Sequence, residues 1–215
     1  MATTFHAPDT DRLEQLSDLP TGLALQRSVP LLAHLARDPA FLDAYILPLL
    51  PEAKRAEDWY VAHTLDGSDG SYSLQIFVWP ARTRTQIHDH TSWGAYCCVV
   101  GSVLEERYER LDDGSQLEYA HLKKACQLSW SREDGVSTVL PYDEGIHRVG
   151  NPGGQTAIFV HLYGPQKGDL DGRDYDASWE ITCSTGASGL VRPKAPRHEA
   201  CSPNLVEGVF CELRA

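Results

Sequence analysis

The stretch that decides the fold is Thr85-Gln86-Ile87-His88-Asp89-His90-Thr91-Ser92-Trp93-Gly94, in which one residue separates two histidines. It follows the apolar run 74–79, a pattern typical of a β-strand. Side chains at positions i and i+2 of a strand leave the same face, so both imidazoles would point to one place. Because neutral imidazole binds Fe, Zn, Cu and Ni, the spacing predicts that His88 and His90 share one metal ion.

A third histidine is supplied by the segment Pro141-Tyr142-Asp143-Glu144-Gly145-Ile146-His147-Arg148-Val149-Gly150-Asn151, where it follows a turn marked by glycine. Three imidazoles on one face of an octahedral ion leave the opposite face open. That suits an Fe(II) centre that must hold a bidentate substrate and O₂ together. Catalytic zinc sites can have the same three-histidine set. The ligands His88, His90 and His147 therefore predict a metal ion and leave iron and zinc both open.

Together the two segments resemble the signature motifs of the cupin superfamily, small antiparallel β-barrels that bind a metal inside. Generic cupins place a metal-binding glutamate four residues after His-x-His, but here that position is Gly94, and Gly101 closes the motif. The absence of this carboxylate resembles the thiol dioxygenases, the family of cysteine dioxygenase and mercaptopropionate dioxygenase. The runs 145–151 and 161–164 are also similar to that family, and the resemblance extends over about 60–175.

The resemblance implies Fe(II) as the cofactor and an activity that adds both atoms of O₂ to the sulfur of a small organic thiol, giving a sulfinate. The thiol dioxygenases carry a Ser-x-His-x-Tyr triad beside the iron. His161 and Tyr163 match its histidine and tyrosine and are the expected catalytic residues, whereas Phe159 occupies the serine position. The resemblance assigns Tyr163 as a hydrogen-bond donor to substrate or oxygen.

The family holds the substrate carboxylate with an Arg or Gln placed two residues after a tyrosine on the first barrel strand. Tyr60 matches that tyrosine and is assigned to substrate binding, but Ala62 stands at the anchor position. Arg173 resembles a downstream arginine of the mercaptopropionate branch, and is assigned to substrate binding against the alternative of a salt bridge with its flanking aspartates. Further candidate anchors are His63, Arg82 and Arg84. Ala62 and Phe159 together suggest a less polar or bulkier thiol than cysteine.

Three residues near the motifs are expected to have supporting roles. Asp89 alternates away from the metal face, so we interpret it as a second-shell or surface residue and not as a ligand. Trp93 is expected to pack at the mouth of the barrel, and Asn151 to fix the turn that follows His147.

The fold class is predicted to be mainly β, a cupin (double-stranded β-helix) barrel with an N-terminal helical layer. Residues 1–58 have helical spacing interrupted by prolines, 59–183 form the barrel, and 184–215 are an irregular tail, all in one domain. Many short strands with regular turn signals indicate a barrel or sandwich. The predicted strands are 60–65, 71–79, 95–100, 103–111, 137–140 and 156–163, with a pair of short strands in 117–128.

Composition excludes several other classes of protein. A formal charge of −11 without a basic run argues against nucleic acid and anionic membrane surfaces. No apolar run reaches the ~20 residues that span a bilayer, and residues 1–8 do not resemble a signal peptide. Six cysteines without a Cys-x-x-Cys pattern favour reduced thiols and a cytoplasmic location. The expected partners are a small-molecule thiol and O₂, for a monomer or small homo-oligomer.

Two other functions stay open at this level. One is a cupin metalloenzyme that acts on a carbon centre, or hydrolytically with another metal such as zinc. The other is a metal-binding or sensing cupin without catalysis, which the replacements at Ala62 and Phe159 permit.

Overall fold

The computed structural model describes residues 10–53, 55–116, 118–167, 171–176 and 187–193. Its N-terminal part is a layer of short helices, as predicted. They are α1 (Thr10–Glu14), α2 (Thr21–Leu35), α3 (Pro39–Phe41), a π-helical turn (Leu42–Ile46), a 3₁₀ turn (Leu47–Leu49) and α4 (Leu50–Ala53). Prolines divide the layer because proline is best tolerated in a first turn, as at Pro39, where Asp38 also caps the helix through a 2.9 Å bond from the Phe41 amide. No helix in these ranges is long and apolar enough to cross a membrane.

The strands that follow form two antiparallel sheets, which confirms the mainly β cupin architecture. In chain order they are β1 (Tyr60–Asp66), β2 (Ser73–Trp79), β3 (Thr83–Arg84), β4 (Ile87–His88), β5 (Gly94–Val100), β6 (Ser102–Arg110), β7 (Tyr119–Ser131), β8 (Val136–Val139), β9 (His147–Asn151), β10 (Ala157–Tyr163), β11 (Arg173–Asp176) and β12 (Ala187–Pro193). The first sheet has the order β1-β2-β10-β5-β8. The second has the order β3-β9-β4-β11-β12-β7-β6, and β9 also pairs with β6.

Two local predictions were wrong. The region 117–128 does not hold two short strands: β7 is continuous over 13 residues, because it pairs with β6 along its length and with β12 at its start. Within the tail, β12 is a regular strand between β11 and β7 and is not irregular. The rest of the tail, 184–186 and 194–215, lies outside the described residues.

Strand alternation divides the buried side chains into two layers. On β2, Leu74, Ile76 and Val78 pack against the helices, whereas Phe77 and Trp79 point into the space between the sheets. β10 alternates in the same way: Ile158, Val160 and Leu162 face the helices, and Ala157, Phe159 and Tyr163 face the space between the sheets. All seven of its residues are buried. Burying a large apolar side chain stabilises a fold by about 1.5–3 kcal/mol, so the helical layer covers a face that would otherwise destabilise the barrel in water.

Candidate metal centre and active site

The three predicted histidines meet in the interior. His88 ends β4 and lies directly opposite His147, the first residue of β9, in the antiparallel register. His90 follows two residues after His88, and all three rings are at most 4% exposed. One ring nitrogen from each histidine lies within 4.8 Å of the others. This cluster could hold a metal ion.

The second nitrogen of each ring is held by a separate acceptor. His88 Nδ1 lies 2.9 Å from the Gln86 carbonyl, His90 Nδ1 lies 3.2 Å from the Asp171 carboxylate, and His147 Nδ1 lies 3.2 Å from the Glu105 carboxylate. Carbonyl and carboxylate oxygens only accept, so Nδ1 donates its proton and Nε2 keeps a lone pair for a ligand.

Those lone pairs are close together. The Nε2 atoms of His90 and His147 are 3.4 Å apart, close enough to hydrogen-bond each other in the metal-free protein or to bind the same ion. Three buried imidazoles, each with Nδ1 bound to an oxygen and Nε2 turned toward the others, match the donor set that divalent iron or zinc accepts. The residues present therefore fit a resident metal ion.

Glu105, which the sequence analysis missed, is the centre of a buried hydrogen-bond cluster behind His147. Its side chain is fully buried and accepts from Trp130 Nε1 at 2.8 Å, Arg107 Nε at 3.0 Å and Ser137 Oγ at 3.1 Å. Burial raises the pKa of Glu105, but hydrogen bonds and charges from His147 and Arg107 outweigh it and lower that pKa to about 2. The carboxylate is therefore an anionic acceptor for His147. The sequence feature that could have indicated Glu105 is an acidic residue two positions after Val103, on the same buried face of β6.

Asp89 follows β4, and its carboxylate contacts Arg173 and Tyr175, in line with its interpretation as a residue that is not a metal ligand. It is fully buried and accepts from the Arg173 backbone N–H at 2.7 Å, from Arg173 Nε at 2.7 Å and from Tyr175 Oη at 2.7 Å. Arg173 Nη2 also lies 2.6 Å from Asp143 Oδ1. Burial alone would lower the pKa of Arg173, but the hydrogen bond and the charge of Asp89 have the larger effect and raise that pKa above its usual value. The guanidinium therefore stays charged.

These contacts do not test the predicted substrate role of Arg173, which stays a prediction. Its guanidinium pairs with one aspartate from each histidine motif. The salt-bridge alternative is nearer to the structure, although its partners, Asp89 and Asp143, are distant in sequence.

His161 and Tyr163 lie on the same face of β10, as predicted. His161 Nδ1 is 3.0 Å from Tyr163 Oη, and the Tyr163 ring is 5.0 Å from the His90 ring between centroids. The His161 ring stacks on Tyr96 at 4.9 Å and contacts Phe77 at 4.2 Å. The structure thus places the histidine–tyrosine pair beside the three-histidine cluster.

The structure does not bring Tyr60 to this site. Tyr60 pairs with Val78 and is buried in the layer that faces the helices, and Ala62 packs there as well. A β-bulge at Ala62 shifts the register, so that His63 pairs with Ile76 and lies edge-on against Tyr45. Burial lowers the pKa of His63. The other proposed anchors, Arg82 and Arg84, are exposed.

Trp59 and Val61 face the interior instead. Val61 pairs with Phe77, and both Trp59 and Val61 are partly buried against the interior cluster.

Two further expectations concern packing. Trp93 is buried in the helix-facing layer and not at the barrel mouth, and Gly164 passes so close to its indole that a Cβ there would lie 2.2 Å from Nε1. Asn151 fixes the turn after β9, as expected, by donating to the carbonyls of Trp79 at 2.9 Å and Gln155 at 2.7 Å.

Solved structures similar to this chain include several cupins. The cupin domain of Schizosaccharomyces pombe Cnp3 is 14% identical over 50% of this chain and 61% of its own, with a TM-score of 0.37. A cupin superfamily protein from Desulfitobacterium hafniense is 14% identical over 51% of this chain and 80% of its own, at 0.37. An oxalate oxidase in complex with the substrate analogue glycolate is 16% identical over 51% of this chain and 52% of its own, with a TM-score of 0.38. No curated protein matches the sequence.

The family model described as cysteine dioxygenase type I matches residues 53–175, more than half of the chain. The match includes all three clustered histidines, Glu105 and the His161–Tyr163 pair. The chain therefore belongs to the cysteine dioxygenase type I family, a family of non-haem iron dioxygenases.

Proposed function

We propose that this protein is an iron(II)-dependent dioxygenase that adds both atoms of O₂ to the sulfur of a small organic thiol. The observation that carries the proposal is the cluster of three histidines with every Nδ1 bound to an acceptor, next to the His161–Tyr163 pair. Family membership supports a thiol and O₂ as the substrates.

The overall reaction is RSH + O₂ → RSO₂H. The O–O bond breaks and two S–O bonds form. Sulfur gives up four electrons and O₂ takes up four, so no further reductant is needed. The thiol proton leaves when the thiolate forms, and the sulfinate product is an anion at neutral pH.

His88, His90 and His147 would hold the ion through their Nε2 atoms. Bound Fe(II) supplies a centre at which a thiolate and O₂ can react. Because all three ligands are neutral, their side chains leave the charge of a divalent ion uncompensated, and an anionic thiolate is favoured over the thiol. Glu105, Asp171 and the Gln86 carbonyl keep the rings oriented toward one point.

Tyr163 is the proposed hydrogen-bond donor at the reacting atoms. His161 lies 3.0 Å from the tyrosine hydroxyl and is held between Tyr96 and Phe77, so it fixes where that hydroxyl points. A fixed donor is worth most where negative charge develops on oxygen during the reaction.

The test combines metal analysis with product analysis. Protein purified anaerobically and supplied with Fe(II) is expected to hold about one iron per chain, to consume O₂ with a thiol, and to give a product heavier by both atoms of ¹⁸O₂. The ligand variant His147→Ala is expected to lose the iron and the activity. Incorporation of a single labelled atom, or activity with zinc in place of iron, would overturn the proposal.

A further inference from the structure

A row of aromatic rings leads from the edge of the barrel to the candidate site. The rings of Trp59, Phe77 and Trp79 are nearly parallel, with centroids 6.1 Å apart for Trp59–Phe77 and 5.4 Å apart for Trp59–Trp79. Phe77 in turn contacts His161 at 4.2 Å, and His161 bonds Tyr163. Trp59 and its neighbour Val61 are partly exposed, whereas Phe77 is buried. Trp59 and Val61 therefore form a partly exposed apolar surface, which is connected to His161 through Phe77.

Among the described residues, the arginines that are partly buried are engaged by carboxylates. Among the side chains that the structure describes, every lysine is exposed, and every arginine that is not exposed makes an ion pair with a carboxylate. These pairs are Arg107 with Glu105, Arg110 with Asp112 and Asp143, Arg148 with Glu106, and Arg173 with Asp89 and Asp143.

Arg107 is the one of these four whose partner, Glu105, also binds a ligand histidine. It donates to Glu105, Ser137 Oγ and the Thr138 carbonyl, and so lies against β8. β8 and β1 are the opposite edges of the first sheet. Moving Arg107 to a substrate near Trp59 and Val61 would leave the buried Glu105 carboxylate without its main cation, which is costly.

We propose that the preferred substrate is a thiol whose remaining group is apolar and uncharged, and that Trp59, Val61 and Phe77 select it. This inference rests on the proposed thiol oxidation and adds the class of thiol. A carboxylate brought against this surface would lose its hydration without gaining a cationic partner, whereas an apolar group loses nothing by leaving water.

The test compares three thiols: 2-phenylethanethiol, mercaptopropionate and cysteine. The expected kcat/KM is about 10- to 200-fold higher for phenylethanethiol than for either charged thiol, the range that contacts in an apolar pocket provide. Trp59→Ala is expected to shrink this ratio by about tenfold. Val61→Arg, which adds a cation on the inner face, should shift the preference toward mercaptopropionate. Leu47→Ala, a change at an exposed apolar residue of the helical layer, is the control and should leave the ratio unchanged.

The result separates specificity from function. If mercaptopropionate or cysteine is oxidised best and Trp59→Ala leaves the ratio unchanged, thiol oxidation stands and the specificity is overturned. If no thiol consumes O₂, the proposed function fails, and binding of the same three compounds to metal-free protein, measured by tryptophan fluorescence, decides the specificity. If phenylethanethiol binds more tightly than the two charged thiols, and this binding weakens in Trp59→Ala, the proposed specificity is supported. If it binds equally or more weakly than they do, the proposed specificity is overturned.

Discussion

The carboxylate of Asp89, between the two histidines of the first motif, accepts a hydrogen bond from the guanidinium of Arg173, with 2.7 Å between Oδ2 and Nε. The same guanidinium reaches Asp143 Oδ1 at 2.6 Å, and Asp143 lies four residues before His147. One side chain thus connects the segments that carry all three clustered histidines. Arg173 therefore acts as a brace between the two motifs.

Removing this brace is expected to destabilise the protein without changing which thiol it prefers. Arg173→Ala leaves the Asp89 carboxylate buried without its cation, so the free energy of unfolding should fall by about 3 kcal/mol. Denaturant unfolding measures this loss. Asp143→Ala is the control, because the ion pair of half-exposed Asp143 with Arg173 contributes less than about 1 kcal/mol to the free energy of unfolding. A selective loss of mercaptopropionate turnover in Arg173→Ala, with stability unchanged, would support the substrate-anchor assignment.

Glu105 is expected to control metal affinity. Glu105→Gln keeps the size of the side chain but removes the anionic acceptor of His147, and changes of this kind commonly cost about 10- to 100-fold in metal affinity. Competition between the protein and a chelator for Co(II) or Fe(II) measures the effect. Glu106→Gln is a matched control, since Glu106 pairs with Arg148 and Lys124 and contacts none of the clustered histidines. Equal affinities in the two variants would show that the His147–Glu105 contact does not position the ligand.

Binding of the metal should stabilise the fold by an amount that rises with the logarithm of the metal concentration above the dissociation constant. At 100 times the dissociation constant the stabilisation is about 2.7 kcal/mol. Anaerobic thermal unfolding with and without Fe(II) is expected to show the shift in the wild type and in His34→Ala, a change at an exposed histidine of α2. The shift should be absent in His88→Ala, and an equal shift there would place the ion elsewhere.

Tyr163 can be tested apart from the metal. Tyr163→Phe should keep the iron, because the three histidines supply the proposed ligands, but should lose about 10²–10³ in turnover if the hydroxyl donates to developing charge. Iron content and kcat at saturating O₂ are measured together. Tyr108→Phe, which removes a hydroxyl that bonds Glu106, is the matched control. Wild-type turnover in Tyr163→Phe would mean that this hydroxyl only orders His161.

Sequence reasoning located His88 with His90, and His161 with Tyr163, from their i, i+2 spacing, and it located His147 from the resemblance of its segment to the second cupin motif. It did not locate Glu105 or Asp171, whose histidine partners are 42 and 81 residues away in the chain. Tyr60 was assigned to substrate binding from the family resemblance, whereas in the structure it pairs with Val78 and is buried in the layer that faces the helices.

The acceptors that orient the three histidines come from three separate parts of the chain: the segment before β4, strand β6, and the segment before β11. No short peptide contains the whole arrangement, so an unfolded chain offers the ion only loose histidines. We therefore expect the ion to bind late in folding, after β6, β9 and β11 have assembled. In small zinc modules, by contrast, metal binding and folding occur together. Refolding rates should then be the same with Fe(II) and with a chelator, while unfolding is slower with Fe(II).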